Sequence, residues 1–133
     1  MDRPRLLRLV GAVLVLTGGA VHLKLNLDDY SGNDSILRTF AANAGGSALV
    51  AAYLVLRDDI WGPLAGLAVS VGTLIGFTLV RVGDGLFGFQ DQGFGAPYAA
   101  FTVGTEVAAI LVMMALIVVI QAQRATTTSS PRS

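Results

Sequence analysis

The chain has 133 residues, no cysteine and a formal net charge of zero. Hydrophobic residues make up 53 % of it and charged residues 14 %, against about 25 % charged in an ordinary soluble domain. A water-soluble protein of this length needs more polar surface. The lack of cysteine excludes disulfides and thiolate metal sites, and the neutral charge gives no electrostatic basis for binding nucleic acid. A lipid bilayer is the solvent that suits this composition.

Four apolar segments follow one another along the chain. They are predicted at 6–27, 36–56, 63–82 and 98–120, and each has about the 20 residues that a helix needs to cross a bilayer. The tail, 121–133, is rich in Thr and Ser and is predicted to be disordered. The sequence therefore predicts an all-α protein with a single membrane domain, a membrane-spanning four-helix bundle with short loops.

Two segments need separate interpretation. Residues 83–97 alternate glycines with Phe87, Phe89 and Phe94, which predicts an interfacial loop folded onto the bundle. The first apolar segment has the basic start of a signal peptide. Its apolar run continues to Leu27 and three more spans follow, so we expect a retained first helix.

The distribution of Lys and Arg predicts the orientation through the positive-inside rule. If the N-terminus lies in the cytoplasm, six basic residues fall on that side and three on the other. The six are Arg3, Arg5, Arg8, Arg57, Arg124 and Arg132, and the three are Lys24, Arg38 and Arg81. This asymmetry predicts a multi-pass protein of the plasma membrane with both termini in the cytoplasm.

Small residues occur at spacings that let membrane helices approach closely. Gly62 and Gly66 are four residues apart, as are Gly72 and Gly76, and the second segment contains Gly46 among several alanines. Two interpretations are open. The glycines either pack helices within one chain, or they keep a face for a partner subunit in a complex or homo-oligomer. In both cases Gly46 and Gly76 are predicted to lie in close helix contacts.

Glu106 is the most informative polar residue because it lies near the middle of the fourth segment. An acidic side chain at a helix centre costs about 2.5–3.5 kcal/mol on insertion scales, and such residues usually face the bundle interior. Thr102 and Met113 share its helix face. We expect Glu106 to pair with Arg81 or Arg38, whose long side chains reach inward.

The other candidates for a ligand or proton site are His22, Arg38, Asn43 and Arg81, all in the same half of the membrane as Glu106. The four segments would each contribute to one polar layer. Three interpretations remain open for it: an ion-pair and hydrogen-bond network that fixes the helix register, a ligand or ion site, and a proton relay.

No motif predicts catalysis, a metal or a cofactor. His22 is the only histidine, so haem ligation by two histidines and a two-histidine zinc site within one chain are excluded. The nucleophile elbow, the P-loop and the dinucleotide fingerprint are absent from the sequence.

We therefore expect a non-enzymatic accessory or assembly subunit of a membrane complex. The alternative is an oligomeric small-solute or proton-coupled carrier that uses Glu106; small multidrug transporters offer a fold-level analogy, although their glutamate lies in the first helix.

Two short stretches carry a resemblance. HLKL at 22–25 and RVGDGLFGF at 81–89, with the four-span layout, resemble small four-helix membrane proteins of the actinobacterial type. The resemblance covers most of the chain and implies a bacterial plasma membrane. It implies no activity, because that group has none to carry over.

Overall fold

A computed structural model describes residues 2–28, 32–91 and 98–128. Its four α-helices are α1 (Arg3–Leu27), α2 (Asp34–Leu56), α3 (Trp61–Leu79) and α4 (Ala99–Thr128). All four are long and apolar enough to cross a membrane. The predicted all-α, membrane-spanning four-helix bundle is confirmed.

Two predicted boundaries are corrected. The fourth helix runs through 121–128, so the prediction of a disordered tail is wrong there, and 129–133 lies outside the described residues. The start of this tail contains alanine, glutamine and arginine, which are strong helix formers, and they extend the helix beyond its apolar part. The third helix ends at Leu79, before the predicted limit at Val82.

The helices form a ring in chain order, with each packed on the next and α4 packed back on α1. Consecutive helices are antiparallel, and the α1–α2 and α2–α3 connections, 28–33 and 57–60, are short. We call the end that holds the start of α1, the end of α4 and 57–60 the lower end, and the end that holds 80–91 the upper end. Across the ring α1 approaches α3 closely, whereas within the described ranges no Cα atom of α2 lies within 8 Å of one in α4.

Helix packing in the lower half depends on one methionine between two glycines. Met113 on α4 is fully buried. Its terminal methyl carbon would lie only 2.7 Å from a Cβ added at Gly11 of α1 and 2.8 Å from one added at Gly66 of α3. The absence of a Cβ at both positions lets three helices close around this side chain. The prediction that glycines pack helices within the chain therefore holds at Gly11 and Gly66.

Arg8 connects α1 to the α2–α3 connection at the lower end. Only 4 % of this residue is exposed. Its guanidinium donates to the carbonyl oxygens of Arg57 and Asp59, at 2.9 and 3.0 Å. Its Nε lies 3.4 Å from a carboxylate oxygen of Asp58. Arg8 thus acts as a buried structural residue in addition to contributing to the basic flank.

Candidate ligand cavity

A cavity of about 360 Å³ lies in the upper half of the bundle, mainly between α2 and α3. All four helices and the 80–91 segment contribute to its wall. Its apolar lining residues include Leu25, Ile36, Phe40, Phe77, Val80 and Phe89, and its polar ones include His22, Thr39, Asn43, Thr73, Tyr98 and Thr102. The wall is thus largely apolar and aromatic, with a few hydrogen-bonding groups.

The cavity exists because small residues line the α2–α3 seam. Gly46, Gly72 and Gly76 face it, and a Cβ added at any of the three would meet no atom within 4 Å. The prediction that Gly46 and Gly76 lie in close helix contacts is wrong for packing within the chain. At these positions the missing side chains leave space between the helices, whereas at Gly66 the missing side chain admits a neighbouring side chain.

His22 lies in the cavity wall on α1 with its ring fixed by two contacts. Its Nδ1 is 2.9 Å from the carbonyl oxygen of Gly18. A carbonyl only accepts, so Nδ1 carries the hydrogen and the neutral ring keeps its lone pair on Nε2. The ring also packs edge to face on Phe40, with ring centroids 5.3 Å apart. Both contacts hold the imidazole beside the cavity.

Asn43 also lines the cavity, on α2, within a short hydrogen-bonded chain. Its Nδ2 donates to Oγ1 of Thr73 on α3 at 2.6 Å, and Thr73 donates to the carbonyl oxygen of Val69 at 2.9 Å. The single hydroxyl hydrogen of Thr73 is thereby used, so its oxygen must accept from the amide of Asn43. This chain fixes the orientation of the amide group and links α2 to α3 across the seam.

Residues 81–91, which we call the roof loop, form the upper boundary of the cavity. Arg81 forms an ion pair with Asp91 at 2.9 Å, and its other terminal nitrogen donates to the carbonyl oxygen of Phe77 at 3.0 Å. The guanidinium carbon lies 3.6 Å from the centre of the Phe77 ring, within the range of a cation–π contact. The predicted pairing of Arg81 with Glu106 is therefore wrong, because these contacts hold the guanidinium in the roof loop.

A tight turn folds this loop over the cavity. Leu86 and Phe89 exchange two backbone hydrogen bonds of 2.9 Å, and the two residues between them, Phe87 and Gly88, both have positive φ, 52° and 73°. Positive φ at both central positions is typical of a type I′ turn. The loop closes where the Asp91 N–H donates to the Val80 carbonyl at 2.9 Å. The prediction of a loop folded onto the bundle holds for 83–91, and 92–97 lies outside the described residues.

Glu106 lies in the interior of the bundle, and only 3 % of the residue is exposed. Its carboxyl group packs on Gly18 of α1 so closely that a Cβ at position 18 would overlap an oxygen atom of the carboxylate. The buried Ser70 hydroxyl on α3 lies beside the same group but falls short of hydrogen-bond geometry. None of the ion pairs among the described residues includes Glu106.

The structure divides the predicted polar layer. His22, Asn43 and Arg81 all line the cavity, together with Thr102 on α4. Glu106 and Arg38 are not among the described residues of its wall. Arg38 is exposed on α2 and, within the described ranges, forms no ion pair, so its predicted pairing with Glu106 is also wrong.

Sequence reasoning missed two residues of this region. Asp91 was not singled out, because its partner Arg81 lies ten positions earlier. The glycines between the two residues were the available signal that the chain reverses. Thr73 was not singled out, because a lone threonine in an apolar helix commonly bonds its own backbone.

Comparison of the chain with protein-family models, with curated proteins and with solved structures finds no match. Within the described ranges, no group of three or more His, Cys, Asp or Glu residues is placed to hold a metal ion. The class of protein that fold and site define is thus a four-helix protein of membrane-spanning type with a largely apolar cavity between α2 and α3.

Proposed function

We propose that this chain is a non-enzymatic accessory protein of the membrane that holds one small amphiphilic molecule in the cavity between α2 and α3. The observation that carries the proposal is the cavity itself. Its volume of about 360 Å³ falls within the roughly 300–1,000 Å³ of typical ligand sites, which combine apolar walls with a few placed polar groups. His22, Asn43 and Thr102 supply polar groups of this kind.

The route of entry supports a ligand dissolved in the bilayer. Ala42 and Gly72 line the cavity and are exposed on the outer face of the bundle, so the seam between α2 and α3 opens sideways. The roof loop, held by the pair between Arg81 and Asp91, lies above the cavity at the upper end. A molecule in the hydrocarbon layer therefore reaches the cavity more directly than one in water.

The location belongs to the same proposal. The distribution of basic residues supports a plasma membrane with both termini in the cytoplasm, and the resemblance described above supports a bacterial one. In this orientation the upper end and the cavity lie in the outer half of the bilayer.

A proton-coupled carrier that uses Glu106 is the second candidate. It is favoured by the burial of a carboxyl group that has no cation partner within the described ranges, since buried ionisable groups in membranes often mark ion or proton pathways. The absence of Glu106 from the described cavity wall favours the accessory role, because a bound solute would not contact the titrating group. An assembly role with a partner subunit would use the outer helix faces and is compatible with an occupied cavity.

Photolabelling tests the proposal. The purified protein in lipid nanodiscs is irradiated with a long-chain alcohol that carries a diazirine, and the labelled peptides are mapped. We expect labels on the segments around 36–46 and 68–77. The double substitution Gly46→Leu with Gly76→Leu fills the cavity and should reduce labelling about tenfold, which corresponds to 1.4 kcal/mol.

A matched control is available at Gly45. It is adjacent to Gly46, a Cβ there would also meet nothing within 4 Å, and it is not among the described lining residues. Gly45→Leu should leave labelling unchanged. Equal labelling of the filled and control variants would contradict the proposal, because the probe would then be binding elsewhere on the bundle.

A further inference from the structure

Two hydrogen-bonding groups on neighbouring helices line the cavity within about one helix turn of each other. Gly19 on α1 packs on Ser47 of α2, and His22, about one turn higher, packs on Phe40. Because α1 and α2 run antiparallel, position 43 falls between the levels of these two contacts. His22 and Asn43 both line the cavity.

Their donor and acceptor roles are fixed by the neighbouring groups. The bond from Nδ1 of His22 to Gly18 leaves Nε2 as an acceptor. The bond from Nδ2 of Asn43 to Thr73 uses one of two amide hydrogens, so a second N–H remains for another partner. The hydrogen bonds among the described residues use neither Nε2 of His22 nor this second hydrogen. The cavity thus offers one acceptor and one donor.

We propose that the cavity selects an apolar molecule that carries a hydroxyl group, bound between Nε2 of His22 and Nδ2 of Asn43. This inference rests on the proposed function and names the class of its ligand. A hydroxyl both donates and accepts, so it satisfies the two groups at once. An ether accepts only and leaves Nε2 unpaired. A carboxylate also accepts only, and it would bring negative charge towards the lone pair of a neutral imidazole.

The aromatic lining agrees with a compact apolar body on this ligand. The rings of His22, Phe40, Phe77, Phe89 and Tyr98 all contribute to the wall. Such rings supply large contact areas at little cost in side-chain entropy. The ligand class is therefore a lipid-soluble alcohol, in which an acyl, isoprenoid or ring system carries the hydroxyl group.

A competition experiment tests this inference with the diazirine alcohol as the photoprobe. Three unlabelled competitors of equal chain length are compared: the alcohol, its methyl ether, and the fatty acid at a mildly alkaline pH where it is ionised. We expect the alcohol to compete about tenfold better than the other two. His22→Phe keeps an aromatic ring against Phe40 and should reduce the preference for the alcohol to below about threefold. Asn43→Leu removes the donor that all three competitors would use, so it should weaken competition by the alcohol about tenfold and leave the order of the three competitors unchanged.

The outcomes separate the two proposals. If all three competitors act equally while the filled variant Gly46→Leu with Gly76→Leu still blocks labelling, the inference about the hydroxyl is overturned and the proposed function stands. If filling the cavity has no effect on labelling, the proposed function itself fails. A full preference for the alcohol in His22→Phe, or undiminished competition by the alcohol in Asn43→Leu, also overturns the inference. Should one of these two variants not fold, the other variant and the competition on the unmodified protein decide the question.

Discussion

The carboxyl group of Glu106 packs directly on the backbone of Gly18, and a side chain at position 18 would overlap it. A side chain at position 18 would therefore have to displace the carboxyl group of a buried residue on another helix. Gly18→Ala should destabilise the bundle by about 1–3 kcal/mol, the usual cost of overpacking a filled site. Combining it with Glu106→Ala should cost less than the sum of the two single changes, because the truncated side chain no longer meets the new methyl group. Detergent melting of the four proteins measures this coupling, and strict additivity would contradict the contact.

Glu106→Gln should preserve the fold. Removing one partner of a buried ion pair costs about 3–5 kcal/mol, but within the described ranges Glu106 has no such partner. Glutamine has nearly the same shape, so the melting temperature should stay within a few degrees of that of the unmodified protein. A loss as large as that from breaking a buried pair would show that the carboxylate charge is needed for folding.

Arg81 and Asp91 should behave as a coupled pair. Arg81→Gln and Asp91→Asn each remove the same ion pair of 2.9 Å, so a double-mutant cycle should give a coupling of about 0.5–3 kcal/mol. The control cycle between Arg81→Gln and Glu106→Gln should be additive to within about 0.5 kcal/mol, because those residues are not in contact. Coupling in the control cycle and none between Arg81 and Asp91 would reverse the assignment.

Arg8 should contribute more to stability through its hydrogen bonds to carbonyl oxygens than through its ion pair with Asp58. Arg8→Gln loses two charged hydrogen bonds to carbonyl oxygens, each worth about 1.5–3 kcal/mol. Asp58→Asn is the matched control, because the carboxylate that faces Arg8 is 96 % exposed and exposed ion pairs contribute about 0–1 kcal/mol. Equal melting temperatures for the two variants would show that the carbonyl contacts do not stabilise the bundle.

Acid should weaken one contact near the lower end. The Tyr53 hydroxyl donates to the Asp59 carboxylate at 2.8 Å, and this hydrogen bond is the main cause that lowers the pKa of Asp59. Because the pKa of Asp59 is lower in the folded protein, its hydrogen bond contributes to stability at pH values above the unfolded pKa of about 3.9. This contribution is lost as the pH falls through the folded pKa. The difference in melting temperature between the unmodified protein and Tyr53→Phe should therefore shrink as the medium is acidified. In an Asp59→Asn background the effect of Tyr53→Phe should not depend on pH; a dependence there would assign the titration to another group.

The four spans could be predicted because each is encoded locally. A run of apolar residues and its polar flanks suffice to locate a membrane helix to within a few residues. The end of α4 was misplaced because hydropathy marks where apolar character stops, while alanine and glutamine continue a helix into water.

The site was predicted only in part, for reasons of geometry. Glycine spacing cannot distinguish a contact from a cavity, because a missing side chain either admits a neighbour, as at Gly66, or leaves open space, as at Gly76. The partner of Arg81 depends on how the roof loop turns back, and positive φ at Phe87 is not evident from a phenylalanine. Charge and depth alone made Glu106 the more plausible partner.

We expect the cavity between α2 and α3 to bind an amphiphile. The change in melting temperature that a ligand causes in nanodiscs tests this binding most directly. A ligand that binds only the folded state stabilises it by about 2.7 kcal/mol at a hundred times its Kd. A long-chain alcohol should therefore raise the melting temperature of the unmodified protein and of Gly45→Leu by several degrees. It should leave that of the variant Gly46→Leu with Gly76→Leu unchanged. An equal rise in all three proteins, or none in the unmodified protein, would contradict the claim.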